Sequence, residues 1–228
     1  MQVTDEAIEK IKAMIVSGEL GPGDRLPKEA DLSQRLGLSR NSLREAVKAL
    51  SVIGVLDVKQ GSGTYVTSLA PNLLLDVLSF VLDFHRDDTV LEFLEVRRIL
   101  EPAATAKAAR LMTDEQIADV RSLLDELPAS PPIEALVAND IEFHRRIALA
   151  AGNAVMCSLL DGLSGPTLRA RVWRGLTQEN AVARTREQHA AICDAIAARQ
   201  PEVARAWATV HVAGVEQWLR SALGTPED

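Results

Sequence analysis

The chain has 228 residues, of which 47% are apolar and 25% charged, and it carries a net charge of −7. Such a composition excludes a disordered chain, and no apolar run approaches the length of about 18 residues that a membrane span needs. The acidic total argues against a polyanionic partner until it is divided: residues 1–68 hold nine Lys/Arg and nine Asp/Glu, whereas residues 69–228 hold 16 and 23. A nucleic acid would therefore meet the N-terminal part, through a local patch.

Asp5, Glu6, Glu9 and Lys10 stand where a secretory signal would place an apolar core. Cys157 and Cys193 lie among apolar neighbours, as buried, reduced thiols do. The expected location is the cytoplasm.

In chain order, Thr4 is a candidate N-cap, followed by Ala7, Ile8, Ile11, Met14 and Ile15 at helical spacing. Gly18, Gly21, Pro22 and Gly23 then make a loop. Residues 28–36 form a second helix, stopped at Gly37. Ser39 caps a third over residues 40–53, whose apolar face is Leu43, Ala46, Val47 and Leu50, and Gly54 ends it. Two strands, Val55–Lys59 and Thr64–Thr67, flank Gln60-Gly61-Ser62-Gly63 as a hairpin. Helix, helix, turn, helix, hairpin is the order of a winged helix-turn-helix.

From Pro71 onward no period-2 run occurs. Ala and Leu dominate, and helices are predicted over about 71–85, 89–111, 113–127, 132–151, 154–174, 179–199 and 201–223. The fold class is mainly α: a winged helix-turn-helix over residues 1–68, then an all-α bundle of six or seven helices over residues 69–228.

A helix-turn-helix sets the start of its second helix in the DNA major groove. Here that segment runs from Ser39 to Arg44. Arg40 and Arg44 share one helical face, and each can bridge guanine O6 and N7. Asn41 suits adenine, and Ser39 and Ser42 suit phosphate oxygens. Gly61, Ser62 and Gly63 let the wing backbone approach DNA closely.

These residues resemble a known family. The segment Gly23-Asp24-Arg25-Leu26-Pro27-Lys28-Glu29-Ala30-Asp31-Leu32, together with Leu36 to Arg40, Leu43-Arg44-Glu45-Ala46, and Gly61 to Val66, is similar to the GntR family of bacterial transcription regulators. The resemblance implies that Arg25 touches phosphate, that Arg40 and Arg44 read bases, and that Gly61 to Gly63 enter the minor groove. Two positions depart from the family's pattern. Lys28 stands where Ser or Thr is usual, so the cap of the second helix is lost, and Ala30 stands where many members carry a DNA-contacting Arg. Lys28 is the substitute candidate for a phosphate contact.

The chain has four histidines. His85, at a predicted helix end, reads as a cap or surface residue. Asp140 and His144 are four apart on one helix face, and His189 and His211 fall on two further predicted helices. Three imidazoles and a carboxylate suit a divalent metal: zinc first, with nickel and manganese as alternatives. Cys193 is a rival ligand by position, but Ile192 and Ile196 place it in an apolar stretch.

The second region resembles the FCD effector domain of the FadR-type branch of the family, through Val96-Arg97-Arg98-Ile99-Leu100-Glu101-Pro102, Asp140-Ile141-Glu142-Phe143-His144, Glu187-Gln188-His189 and His211. The resemblance implies a metal that helps hold an organic-acid effector. Such an acid needs a counter-charge. Arg97 is the first candidate, by its place in the motif, with Arg169 and Arg171 behind it; Asn153 is either a pocket residue or a helix cap. Trp173, Trp207 and Trp218 read as core or dimer-interface residues.

The reading is a ligand-responsive regulator, a repressor by family habit, that binds a near-palindromic operator in double-stranded DNA as a homodimer, with no membrane partner and no catalytic residues. Two alternatives use the same cluster. A metal-dependent hydrolase would activate water there, although no further carboxylate, serine or cysteine pattern marks a catalytic partner. A structural metal would only staple the bundle.

Overall fold

The computed structural model describes residues 3–69, 88–128 and 131–224, and the chain divides into two compact units, Met1–Val77 and Leu78–Asp228. The predicted helix over 71–85 and His85 lie outside the described residues.

The first unit contains α1 (Val3–Val16), α2 (Glu29–Leu36), α3 (Arg40–Val52), β1 (Leu56–Lys59) and β2 (Gly63–Val66). Its core holds the predicted Ala7, Ile11 and Met14 from α1 and Leu43, Ala46 and Leu50 from α3, with Leu32 from α2, Leu56 and Val66, while the predicted Ile8, Ile15 and Val47 pack against it partly buried. The strands pair antiparallel from Leu56↔Val66 to Lys59↔Gly63. The loop before α2 adds a short edge to them, with Leu26 N–H donating to Thr64 O at 2.8 Å and Val66 N–H to Asp24 O at 2.8 Å.

Local chemistry sets the helix ends. Gly37 ends α2 in the left-handed region at φ 65°, where a side chain would be strained. Ser39 caps α3 by accepting from Ser42 N–H at 3.1 Å. Lys28 precedes α2 with cap-like dihedrals but no side-chain cap bond.

The second unit contains seven helices among the described residues: α4 (Asp88–Leu111), α5 (Asp114–Asp125), α6 (Ile133–Ala150), α7 (Ala154–Ser164), α8 (Leu168–Thr177), α9 (Ala181–Ala197) and α10 (Pro201–Leu223). Thr113 and Gln116 form a reciprocal capping box at α5. The core joins α4, α5, α6, α9 and α10 through Ala108, Met112, Val120, Phe143, Ile192 and Ala208. Cys193 belongs to the same apolar core, and both cysteines are free thiols.

One predicted element needs correction. The helix expected over 154–174 is two helices, α7 and α8, separated at Gly165-Pro166-Thr167. Pro166 has no N–H to donate, so a helical hydrogen bond is lost there, although Gly165 before it keeps helical angles of φ −61° and ψ −58°. Thr167 holds the junction, its hydroxyl donating to Leu163 O at 3.0 Å. The break gives α8 its own placement, and with it Arg171 and Arg174.

Candidate metal centre and nucleic-acid interface

Four ligand atoms, one each from Asp140, His144, His189 and His211, lie within 4.8 Å of one another. α6 supplies Asp140 and His144 one turn apart, α9 supplies His189 and α10 supplies His211. Asp140 Oδ1 stands 3.3 Å from His189 Nε2 and 3.7 Å from Nε2 of both His144 and His211. His144 Nε2 and His211 Nε2 approach to 3.1 Å. Ligands about 2.0–2.1 Å from a zinc ion sit about 3.4 Å from each other at tetrahedral corners, so these spacings fit a shared ion.

The surroundings orient the ligands. Arg171 Nη1 holds Asp140 Oδ2 at 2.5 Å, which leaves Oδ1 to face the imidazoles. Gln188 Oε1 is 3.0 Å from His211 Nδ1, and a proton there leaves Nε2 with a lone pair toward the cluster. Glu101 Oε2, on α4, lies 3.7 Å from His144 Nδ1. Phe143 stacks on His189 with ring centroids 4.1 Å apart. His189 Nε2 is buried with no hydrogen-bond partner. A buried polar atom left unpaired is costly, and a metal ion would satisfy it. On that orphaned nitrogen and this donor set, the residues fit a divalent cation.

Burial pushes the His189 imidazole down in pKa and His211 down to about 3, so both are neutral near pH 7, as ligation requires. Burial by itself would raise the Asp140 carboxyl. The charge of Arg171 and the closeness of the three imidazoles outweigh it and hold Asp140 well below the usual carboxylate range.

The proposed counter-charges take different places. Arg97 is buried, donating to Glu101 Oε1 at 2.8 Å and to Thr167 Oγ1 at 3.0 Å. Arg171 is also buried and reaches Thr167 Oγ1 at 3.3 Å, so the two guanidiniums share one hydroxyl. Arg169 is exposed on α8. Asn153 caps α7 by accepting from Met156 N–H at 3.1 Å. Trp173 and Trp218 meet edge-to-face, while Trp173 and Trp207 stay partly exposed.

Three neighbours of the cluster carried no assignment in the sequence reading: Glu101, Gln188 and Arg174. Glu101 follows Arg97 by four residues and Arg174 follows Arg171 by three, spacings that put each pair on one helix face. Gln188 directly precedes His189. A cleft of about 30 Å³ beside the cluster is lined by Asp140, Arg171, Arg174, Thr185, His211 and Val215, among others.

In the first unit, Arg25, Lys28, Arg40, Asn41 and Arg44 are exposed. Arg44 is held by Glu29 through two bonds, at 2.8 and 2.9 Å, and that hydrogen bond lowers the Glu29 carboxyl and raises Arg44. Ser42 Oγ lies 2.8 Å from Ser39 Oγ, so both hydroxyls stay near the start of α3. At the wing, Ser62 Oγ lies 2.8 Å from Tyr65 Oη. Gly61 has φ 77°, which the tight turn requires. A Cβ on Gly63 would come within 2.5 Å of Arg25 Nε, so glycine there lets Arg25 lie against the wing.

Residues 3–66 match the bacterial regulatory proteins of the gntR family, and residues 92–214 match the FCD domain. The chain belongs to the GntR family, with an FCD domain as its second part. It is 31% identical to the HTH-type transcriptional regulator LutR of Bacillus subtilis, over 90% of this chain and 96% of that one. It is 30% identical to the galactonate operon transcriptional repressor of Escherichia coli, over 95% and 96% of the two chains. Among solved structures, a GntR protein of Streptococcus agalactiae superposes with a TM-score of 0.73 at 26% identity, covering 94% of this chain and 99% of that one. The family is one of DNA-binding regulators, and no helix among the described residues is long and apolar enough to cross a membrane.

Proposed function

We propose that the protein is a ligand-responsive transcriptional repressor that binds a near-palindromic operator as a homodimer and senses a small organic acid at a metal-assisted site. The observation that carries the sensor reading is the cluster of Asp140, His144, His189 and His211, with a buried His189 Nε2 that has no partner. These four residues would hold a divalent metal, zinc first, and on a five- or six-coordinate ion they would leave positions that an acid's oxygens could take. Arg171 fixes the Asp140 carboxylate, and Gln188 fixes the His211 tautomer. The name of the galactonate operon repressor ties a relative of this architecture to a sugar acid.

On the DNA side, Arg40, Asn41 and Arg44 would read base edges, and Arg25, Lys28, Ser39, Ser42 and Gly61 to Gly63 would meet the backbone and groove. The dimer reading draws on apolar side chains left in water. Val203, Trp207 and Val210 form a stripe on α10 at i, i+4 and i+7, and Val96 and Ile99 form a second on α4. Exposed apolar stripes of this kind mark association surfaces.

A thermal-shift screen of small carboxylic acids, with zinc and after chelation, tests the sensor reading. An acid at about 100 times its Kd adds about 2.7 kcal/mol, or about 5–10 °C for a unit of this size. The expected result is a shift for one acid class that disappears on chelation. A shift from zinc alone, to which no acid adds, would make the metal structural.

A further inference from the structure

Three arginines of the helical unit are buried: Arg97, Arg171 and Arg174. Arg97 is matched by Glu101 and Arg171 by Asp140. Arg174, only 3% exposed, has no ion pair among the described residues. Its Nε donates to Gln178 Oε1 at 2.6 Å, a neutral acceptor. Its Nη2 has no hydrogen-bond partner. Taking a guanidinium out of water without a matching anion is among the costliest arrangements a fold can hold. Arg174 lines the cleft that Asp140 and His211 also line. The cleft's remaining walls include Leu136, Val137, Ala181 and Val215. Its volume of about 30 Å³ admits a group the size of one or two waters, as a carboxylate is.

We infer that Arg174 is the seat of the effector's carboxylate: its Nη2 donates to a carboxylate oxygen placed beside the metal centre, and a small organic acid supplies the anion that the fold withholds. This assignment rests on the metal-assisted sensor reading. It differs from the sequence expectation, which set Arg97 first. Arg97 and Arg171 already hold carboxylates of the protein itself, so they shape the site even though Arg171 Nε has no partner, whereas Arg174 is the buried guanidinium with no carboxylate of its own. In the absence of ligand Arg174 is a destabilising residue, and the acid relieves it.

The test uses the full chain loaded with zinc, as wild type, Arg174→Met and Arg174→Lys. Acetate, glycolate, L-lactate and D-galactonate are titrated calorimetrically, with lactamide as an uncharged counterpart of lactate, and zinc content is measured on each protein. The wild type should bind at least one acid and ignore lactamide. Arg174→Met should bind that acid about 10- to 100-fold more weakly, the worth of one hydrogen bond to a charged group, while retaining one zinc per chain. Without acid, Arg174→Met should melt at or above the wild-type temperature, because an unmatched buried charge has gone. Arg174→Lys should fall between the two in affinity, and it carries the test if the methionine variant does not fold. Equal affinity of wild type and variant for the acid would overturn the assignment and leave the sensor reading standing. Loss of zinc together with the acid would also overturn it, because Arg174 would then act through the metal centre. If no acid binds the zinc-loaded wild type, the sensor reading falls and the assignment falls with it.

Discussion

The two units treat charge in different ways. In the winged unit the charged side chains stay in water and pair with one another across the surface: Arg44 with Glu29, Lys10 with Glu6, Lys48 with Glu45. Such pairs are weak and exchange partners freely, so a phosphate or a base edge can take the place of a carboxylate at little cost. The helical unit has such surface pairs too, as Arg110 with Glu202, but it also takes charge inside: Arg97 with Glu101, Arg171 with Asp140, and the buried Glu216 with Arg98 and Arg220. Inside, each charge must be matched, because no water makes up a shortfall. A surface of exchangeable pairs suits a polyanion that is bound and released. An interior with unmet valences, among them Glu101 Oε2, Arg171 Nε, Arg174 Nη2 and His189 Nε2, suits ligands that complete it.

The sharpest way to break this contrast is Asp140→Ala. It strips Arg171 of its carboxylate and the histidines of their acidic partner, and breaking a buried pair costs about 3–5 kcal/mol. Chemical denaturation of the helical unit should show a loss of that size, with loss of bound zinc by elemental analysis. A variant that kept both its stability and its zinc would mean that water reaches the cluster and that the interior is not dry.

The next effect lies on the surface and concerns binding. Arg44→Ala should weaken operator binding about 10- to 100-fold and relax base preference at the position it reads. Folding should barely respond, since the lost partner, Glu29, is free to return to water. Fluorescence anisotropy on the operator and on point-substituted operators measures both effects. An unchanged affinity would remove Arg44 from the reading face and leave Arg40 and Asn41 to carry it.

What could be read in the chain beforehand follows the same division. In the winged unit the informative features are local: the glycine stop at Gly37, the cap at Ser39, the turn glycines at the wing, and a period that names the core. These act over a few residues, and the structure reproduces them to within a residue or two. In the helical unit the four candidate ligands were legible because histidine is scarce and Asp140 and His144 share a helix face. The division of α7 from α8 was missed because Ala and Leu keep a helical rhythm on both sides of Pro166, although the proline itself carried the signal. The solitary state of Arg174 could not be read at all. It depends on which acids the neighbouring helices bring, and Glu101 and Asp140 are both taken by other arginines.

The smallest effect separates stability from recognition at one residue. Lys28 holds the cap position of α2 with φ −56° and ψ 143°, backbone angles that a capping side chain uses, yet it makes no cap bond. Lys28→Ser should let a hydroxyl accept from the first free N–H groups of α2, stabilising the winged unit by about 1 kcal/mol. The same change removes a cation from the edge proposed to face DNA. If Lys28 meets a phosphate, the slope of log affinity against log salt should shrink by about 0.9 per protomer, about 1.8 for the dimer, with the loss equal on specific and non-specific DNA. Thermal unfolding and salt-dependent anisotropy on one protein read both terms. A more stable variant with an unchanged salt slope would mean that Lys28 touches no phosphate. A more stable variant with a shallower slope would mean that this chain gives up helix stability at α2 for a charge that DNA can use.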